Sequence, residues 1–288
     1  MDDREYEFRG KHFQYMYSLD NKPEPEDYFM HAHERYELFH FVSGNAKYLV
    51  EGTEYNLTPH DTLLIRPFEV HRLVLLDDTV PYERVVIHFS PKMFGTDKTA
   101  SNTLLRPFND RELGRGNRYE ATAFSGEGWP FHGDVSKLFT RMGDDAEVFI
   151  ASKVQSFLAE TLLPFSERDR NETPFSAKIT GVLEYINAHL YEDLTVARIC
   201  EECFLSRAQL NRLFKYATGT SVWQYITTKR LLQAKTLIRS GERPTNVYER
   251  CGFAEYSSFY RAYKAKFGNS PEQDKSKSVR SLAGDRFP

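Results

Sequence analysis

Residues 212–221, with the sequence RLFKYATGTS, recur 49 residues later as RAYKAKFGNS at 261–270. Arginine, an aromatic residue, lysine, glycine and serine keep their places in both copies. Upstream of these segments the offset becomes 48 residues, so that Cys203 aligns with Cys251. Self-similarity at a fixed offset marks a repeated structural unit, and the one-residue slip falls where a turn would join two helices. The sequence therefore predicts two helix-turn-helix units in tandem.

The residues around the repeat carry the signals of helix ends and turns. In the first copy, Thr195 can cap one helix, and Ser206 can cap the next with Gln209 as its capping-box partner. In the second copy, Pro244 suits the first turn of a helix, and Gly252 suits a left-handed turn. We expect one connecting helix between the copies.

The second helix of each copy has one apolar stripe and one polar stripe, which indicates one buried face and one exposed face. A helix fits the major groove of DNA, where arginine pairs with guanine and asparagine with adenine, while lysine and serine contact phosphates. A solvated helix face is the alternative, but it explains a repeated pair less well than a single helix. We predict DNA contacts from Arg207, Ala208, Asn211, Arg212, Lys215, Tyr256, Ser257, Tyr260, Arg261 and Lys264.

Charge is divided unevenly along the chain. Residues 176–288 contain 18 Lys and Arg against 11 Asp and Glu, a balance of +7. Residues 1–175 contain 20 against 30, a balance of −10, although the whole chain carries only −3. A basic part joined to an acidic part is typical of a DNA-binding domain with a separate partner domain.

The composition is that of an ordinary globular protein, with 40% hydrophobic and 27% charged residues. No run approaches the ~18 apolar residues of a membrane span, and the acidic start of the chain does not resemble a secretory signal. Three cysteines cannot form a paired disulfide framework. We therefore expect a cytoplasmic protein without a membrane partner.

The first half of the chain predicts β-structure followed by helices. Short apolar runs between about residues 28 and 89, broken by turn residues, favour a sandwich or barrel, with a hairpin at 46–57. We expect irregular structure at 95–133 and helical spacing near 135–164. The fold class is α+β in two domains: a β-barrel with flanking helices at 1–165 and an all-α DNA-binding domain at 176–275. A polar linker at 166–175 and a frayed tail at 276–288 complete the organisation.

A set of histidines and acids lies at the start of the β-region. His31, His33 and Glu37 would share one face of a regular strand, and His71 follows a turn that could bring it to them. Three imidazoles and a carboxylate suit a divalent metal ion, but a hydrogen-bonding or apolar effector pocket and a purely structural role remain open. The predicted effector site consists of His31, His33, Tyr36, Glu37, Arg66 and His71, and the predicted metal ligands are His31, His33, Glu37 and His71.

The spacing Cys200-x-x-Cys203 raises the question of a zinc or redox site. Cys251 is the remaining thiol, and it occupies the position equivalent to Cys203 in the repeat. Small buried cysteines in helix packing explain all three residues better.

The C-terminal part resembles the AraC/XylS family of transcription regulators over about 95 residues. Two positions depart from the family pattern, since Phe204 replaces the glycine of the first turn and Tyr248 replaces a small residue in the second unit. A tyrosine there would push two helices apart unless its ring points sideways. The matching residues are the Ser-x-x-x-Leu-x-Arg-Leu-Phe-Lys run from Ser206, Thr218-Gly219, Tyr225, Arg230, Ala234, Cys251-Gly252-Phe253, Ser257-Ser258-Phe259, Arg261, Lys264, Phe267-Gly268 and Ser270-Pro271.

This resemblance implies a cupin-like N-terminal sensor barrel, in whose motif His60 and Phe68 stand in place of glycines. It further implies double-stranded DNA as partner, a small sugar-like effector, a homodimer through the 135–164 segment, contact with RNA polymerase and no enzymatic activity; such regulators are often activators. The hypothesis is an effector-controlled transcription regulator with a possible divalent metal. The alternatives are a metal-dependent cupin enzyme fused to a DNA-binding module and a constitutive regulator with an empty barrel.

Overall fold

The computed structural model describes residues 4–95, 98–124, 129–131, 139, 141–143, 145–167 and 177–275. It divides into two compact units, Met1–His31 with Arg35–Pro174 and Ala32–Glu34 with Phe175–Pro288. Residues 168–175 of the predicted linker, the tail 276–288, and the positions Val135 and Leu138 of the predicted helical stripe lie outside the described residues.

The strands of the first unit form two sheets. A six-stranded sheet has the order β1-β2-β8-β3-β6-β9, and a three-stranded sheet has the order β5-β4-β7. Every strand pair is antiparallel. The strands are β1 Arg4–Arg9, β2 Phe13–Asp20, β3 Tyr36–Ser43, β4 Ala46–Val50, β5 Thr53–Asn56, β6 Thr62–Ile65, β7 His71–Leu75, β8 Tyr82–Phe89 and β9 Arg118–Tyr119.

Each face of the larger sheet has its own core. One face packs against the smaller sheet through Phe39, Tyr48 and Tyr82. The other face packs against helices through Leu38 and Ile87. Because neighbouring residues of a strand point to opposite faces, this arrangement separates the interior between the sheets from the helical layer.

Three helices have defined bounds among the described residues of this first unit: α1 Lys98–Leu104, α2 Arg106–Asn109 and α3 Asp145–Glu167. The expectation of irregular structure at 95–133 was wrong, since α1, α2 and β9 lie in this region. The periodic signal was weak there because α1 and α2 are only 7 and 4 residues long. Helix α3 covers most of the predicted helical segment and contains Pro164.

The predicted hairpin at 46–57 is confirmed, with β4 and β5 joined by Glu51 and Gly52 in left-handed conformation (φ 47° and 80°). His60 and Phe68, the two positions where the sensor motif has glycine, also have positive φ angles of 73° and 66°. The backbone therefore keeps the conformation that glycine favours, although the side chains have changed.

The second unit is helical throughout its described part and contains the two predicted helix-turn-helix copies. Its helices are α4 Ala177–Ala188, α5 Val196–Glu202, α6 Arg207–Thr218, α7 Val222–Arg239, α8 Pro244–Arg250 and α9 Tyr256–Phe267. No helix among the described residues is long and apolar enough to span a membrane.

The first copy consists of α5 and α6. Thr195 accepts a hydrogen bond from the Arg198 amide, and Ser206 and Gln209 form the predicted capping box. Phe204 has a φ of 53° in the turn. The cap residues and the left-handed turn thus lie where the sequence predicts them.

The second copy consists of α8 and α9, which pack through Val247, Phe259 and Tyr263. The ring of Tyr248 lies against Tyr256 and Phe259, with ring centroids 5.5 and 6.5 Å away. Its hydroxyl donates to Glu249. The bulky residue is therefore half-buried at the edge of the core, and the two helices still pack together.

Candidate functional site

A cavity of about 630 Å³ lies in the first unit, between the larger sheet and the smaller one. Small-molecule sites commonly have volumes of ~300–1,000 Å³ and combine apolar walls with a few polar groups. The lining includes Phe39 and Leu73 as apolar residues. Its main polar and charged residues are Tyr28, His31, Glu37, Tyr48, Tyr82, Arg84 and His88.

Four of the predicted residues form a cluster, and two of them, His31 and Glu37, also line this cavity. Donor atoms of His31, His33, Glu37 and His71 all lie within 4.8 Å of one another. The predicted cause of this clustering was wrong, because residues 31–37 do not form one regular strand. Strand β3 begins at Tyr36, and His31 forms an isolated bridge with His71. The convergence comes from this pairing, with amide-to-carbonyl distances of 3.0 and 2.9 Å, rather than from alternation along one strand.

Backbone carbonyls fix the orientation of two imidazoles. Nδ1 of His71 lies 2.7 Å from the carbonyl oxygen of Glu69, and Nδ1 of His31 lies 3.0 Å from that of Phe29. A carbonyl oxygen can only accept, so each Nδ1 carries the proton that it donates. Nε2 of His71 lies 3.6 Å from Glu37, and in each ring Nε2 is the nitrogen left for a metal, as in histidines whose tautomer is set for metal binding.

Glu37 is the central acid of this cluster and is only 2% exposed. Its Oε2 lies 3.6 Å from Nε2 of His71 and 2.7 Å from Nε2 of His88, and its Oε1 accepts from the Tyr48 hydroxyl at 3.4 Å. Burial by itself lowers the pKa of His71, but the Glu37 carboxylate outweighs it and raises that pKa above the ordinary value. Burial and Glu37 together raise the pKa of Tyr48.

His88 and Arg84 were missed by the sequence analysis. Both face the cavity from β8, together with Tyr82 and Val86, at alternate positions of the strand. Arg84 pairs with Asp20 at 3.2 Å, and its Cζ lies 5.0–5.3 Å from two tyrosine ring centroids. The strand-like alternation of residues 82–89 could have indicated these residues. Alternation alone, however, does not show which face of the strand points into the interior.

Four predicted effector residues do not line the cavity: His33 and His71, which belong to the cluster beside it, and Tyr36 and Arg66. The ring of Tyr36 packs against Phe89 and Phe108 on the helical side of the sheet. It points away because it immediately precedes Glu37 in the strand. Arg66 instead donates to the carbonyl oxygen of Arg111 at 3.1 Å.

A buried ion pair supports the turn that carries His71. Arg111 donates to both carboxylate oxygens of Glu69 at 2.6 and 2.7 Å, and Glu69 is fully buried. Burial raises the pKa of Glu69, but Arg111 outweighs this effect and lowers it to about 2. Since the Glu69 carbonyl orients His71, this ion pair also supports the histidine cluster.

In the second unit, α6 presents the predicted polar face. Its buried stripe includes Leu210 and Phe214. The predicted DNA-contacting residues of this helix are all exposed: Arg207, Ala208, Asn211, Arg212 and Lys215.

Helix α9 exposes fewer of its predicted DNA-contacting residues than α6 does. Ser257, Arg261 and Lys264 are exposed, whereas Tyr256 and Tyr260 are half-buried. Tyr256 packs against Tyr248, and its hydroxyl donates to Glu272. Tyr256 is therefore engaged in packing within the second copy.

The three cysteines are free thiols; Cys251 is buried, whereas Cys200 and Cys203 are half-buried. Burial raises the pKa of Cys251 to about 11. No group of metal-binding type among the described residues includes a cysteine.

Comparison with known proteins finds two family models in the chain. The model of the AraC-like ligand binding domain matches residues 15–147, and that of a helix-turn-helix domain matches residues 188–277. The first match includes most of the residues that line the cavity, and the second includes both helix-turn-helix copies.

Two relatives by sequence and one similar solved structure illustrate the comparison. The probable transcriptional regulator LumQ of Photobacterium leiognathi is 30% identical over 146 residues, which are 49% of this chain and 57% of that protein. The arabinose operon regulatory protein of Salmonella typhimurium is 22% identical over 77% of this chain and 76% of its own length. ToxT of Vibrio cholerae, a solved structure, is 14% identical over 93% of this chain and 100% of that chain, with a TM-score of 0.38.

Proposed function

Because the chain belongs to the AraC family of DNA-binding transcription regulators, we propose that it binds one operator through α6 and α9 under the control of a small effector. The match spans only 57% of the length of LumQ. We therefore infer the DNA-binding activity from the residues of this chain and not from LumQ. The observation that carries the proposal is the repeated pair of helices with exposed polar faces on a unit of balance +7.

The DNA-binding proposal is supported by the chemistry of the exposed faces. Helix α6 offers Arg207, Asn211 and Arg212, which are residue types that pair with guanine and adenine edges in the major groove. Lys215 and Lys264 supply charge toward phosphates. The connecting helix α7 joins the two copies, as required for helices that enter successive segments of the major groove.

Selection of bound sites from random double-stranded DNA tests this function directly. The full-length protein is expected to enrich one motif with two parts about one helical turn apart. Enrichment of no motif, at salt concentrations where non-specific binding is weak, would contradict the proposal.

The cavity supports the effector half of the proposal. It combines aromatic rings, such as Tyr28 and Tyr82, with charged groups that bond hydroxyls, such as Glu37 and Arg84. These are the partners that a sugar-like molecule needs, with ring faces for its C–H groups and donors and acceptors for its hydroxyls. A thermal-shift screen of sugars, repeated with Glu37→Gln, would identify a ligand that requires this carboxylate.

The proposal includes a homodimer formed through α3. An exposed stripe with helical spacing runs along this helix, and its ends, Val148 and Leu163, are 72% and 57% exposed. Such a stripe suits the seam of two packed helices. The stripe consists of Val148, Ser152, Gln155, Ala159 and Leu163. Sedimentation equilibrium of the wild type and of a Val148→Glu, Leu163→Glu double variant would measure the dimer and its loss.

Binding of a divalent metal ion is a second candidate function of the cavity. The converging donors of His31, His33, Glu37 and His71 and the two orienting carbonyls favour it. When bound, such an ion would supply a positive charge that polarises an effector oxygen. A metal-dependent enzyme would have to turn over a substrate, whereas the two relatives named from sequence comparison, LumQ and the arabinose operon regulatory protein, are regulators.

Three further parts of the proposal depend on the family resemblance. They are contact with RNA polymerase, activation of transcription and a cytoplasmic location. A reporter gene placed behind the selected DNA site would distinguish activation from repression.

A further inference from the structure

The two DNA-facing helices begin with different chemistry. Before α6, the Ser206 hydroxyl accepts from the Gln209 amide at 3.2 Å, and the Gln209 side chain accepts from the Ser206 amide at 3.0 Å. Both polar side chains are therefore used in capping. Before α9, the cap residue is Glu255, and its side chain makes no capping hydrogen bond.

The carboxylate of Glu255 is exposed and makes no hydrogen bond or ion pair within the part of the chain that the structure describes. The next residue, Tyr256, is engaged with Tyr248 and Glu272. Ser257 and Ser258 are exposed but short. At the start of α9, Glu255 thus has the longest polar side chain that is not already engaged.

We propose that Glu255 is a specificity-determining residue that accepts a hydrogen bond from the N4 amino group of a cytosine in the operator. This inference rests on the proposed DNA-binding function. Residues at the N-terminal end of a recognition helix contact base edges. In the major groove, the amino group of cytosine is the donor that a glutamate accepts.

The effects of Glu255 on base preference and on general DNA affinity distinguish this role from simple helix stabilisation. A carboxylate at the N-terminus of a helix also stabilises it through the helix dipole, and loss of that effect would change stability without changing base preference. A carboxylate near phosphates weakens binding to every DNA sequence. Glu255 therefore favours binding only where it can accept a hydrogen bond from a cytosine amino group. Its removal should raise general DNA affinity and lower discrimination together.

The experiment compares sites selected by the full-length wild type with those selected by Glu255→Gln. We expect the cytosine preference at one position of the α9 half of the motif to fall by about 5- to 100-fold, the factor that one good base contact provides. The preferred base should shift toward adenine, because glutamine pairs with that base. Glu201→Gln, on α5, is the matched control: it removes the same charge from the same unit and should leave the motif unchanged.

Glu255→Asp provides a second test, because it keeps the charge and shortens the reach. It should lose the cytosine preference without the gain in general DNA affinity. If Glu255→Gln lowers the stability of the protein, Glu255→Asp still tests the proposed base contact. An unchanged motif with both variants would overturn the role of Glu255 while leaving DNA binding intact. A wild type that selects no motif would instead overturn the proposed function itself, and this inference with it.

Discussion

The guanidinium group of Arg230 donates a hydrogen bond of 2.6 Å to the carbonyl oxygen of Gly252, in the turn of the second helix-turn-helix copy. The same group donates to the carbonyl oxygens of Leu190 and Glu192, which precede the first copy, at 2.7 and 2.8 Å. Arg230 lies on α7 and is only 4% exposed. One buried side chain therefore connects the segment before the first copy, the helix between the copies and the turn of the second copy.

Replacement of Arg230 should destabilise the second unit strongly. Arg230→Ala leaves three carbonyl oxygens without their charged donor, and we expect the free energy of unfolding to fall by about 3 kcal/mol. Urea unfolding followed by circular dichroism measures this loss. Arg212→Ala removes an exposed arginine and is the control, expected to change stability by less than about 0.5 kcal/mol.

Gly252 provides a related test at the other end of this hydrogen bond. Its φ is 78°, and an added Cβ would lie 2.8 Å from the Arg230 guanidinium carbon. Gly252→Ala should therefore lower the free energy of unfolding by about 1–3 kcal/mol. Equal stability of this variant and the wild type would mean that the turn can move away from Arg230.

Replacement of Phe204 should have the opposite effect. This residue adopts a φ of 53° and is 93% exposed, so its ring gains little from packing while its backbone is strained. Phe204→Gly should raise the free energy of unfolding by about 1 kcal/mol, since glycine adopts this conformation without a steric cost. Phe204→Ala retains a Cβ and should give no comparable gain in the same thermal or urea unfolding experiment.

Two residues of α6 should affect DNA binding in different ways. Arg212→Ala should relax base preference at one position by ~1–3 kcal/mol. Lys215→Ala should weaken binding to all sequences alike and reduce the salt dependence by about one unit of slope. Fluorescence anisotropy on the selected site and on single-base variants, at several salt concentrations, measures both. Binding by both variants as tight as that of the wild type would contradict the assignment of α6.

Metal binding can be tested apart from DNA binding. If the cluster holds an ion, the purified protein should contain one divalent metal per chain, and His31→Ala and His71→Ala should lose it. His189→Ala, an imidazole of the second unit, is the control and should retain the metal. Elemental analysis after passage over a chelating resin and reloading gives the stoichiometry. Absence of metal after reloading with zinc, manganese, iron and nickel would exclude this candidate function.

Cys251 should be protected from thiol reagents in the folded protein. It is 1% exposed, and burial raises its pKa from 9.0 to about 11. A raised pKa favours the neutral thiol, so its contribution to stability is complete below about pH 9 and is lost as the pH rises through about 11. Labelling with a disulfide reagent at pH 8 should modify Cys200 and Cys203 before Cys251, and all three in urea. Equal rates for all three in the folded state would contradict the burial.

The helix-turn-helix repeat could be predicted closely because its signals are local. The caps Thr195 and Ser206 bond to amides three residues away, and the buried stripe of α6 repeats with the helical period. The sensor site could be predicted only in part. His31 and His71 are 40 residues apart and meet through one backbone bridge, while His88 reaches Glu37 from another strand.

The sequence by itself determined the repeat, the helix ends and the residue types on the exposed faces of α6 and α9, because helix periodicity and capping depend on residues within a few positions of each other. The tertiary structure decided which side chains meet. It left Tyr36 and Arg66 out of the cavity, brought His88 and Arg84 into it, and placed Arg230 between the segment before the first copy and the turn of the second. These relationships depend on strand pairing and on packing between distant segments, and no local pattern in the chain specifies them.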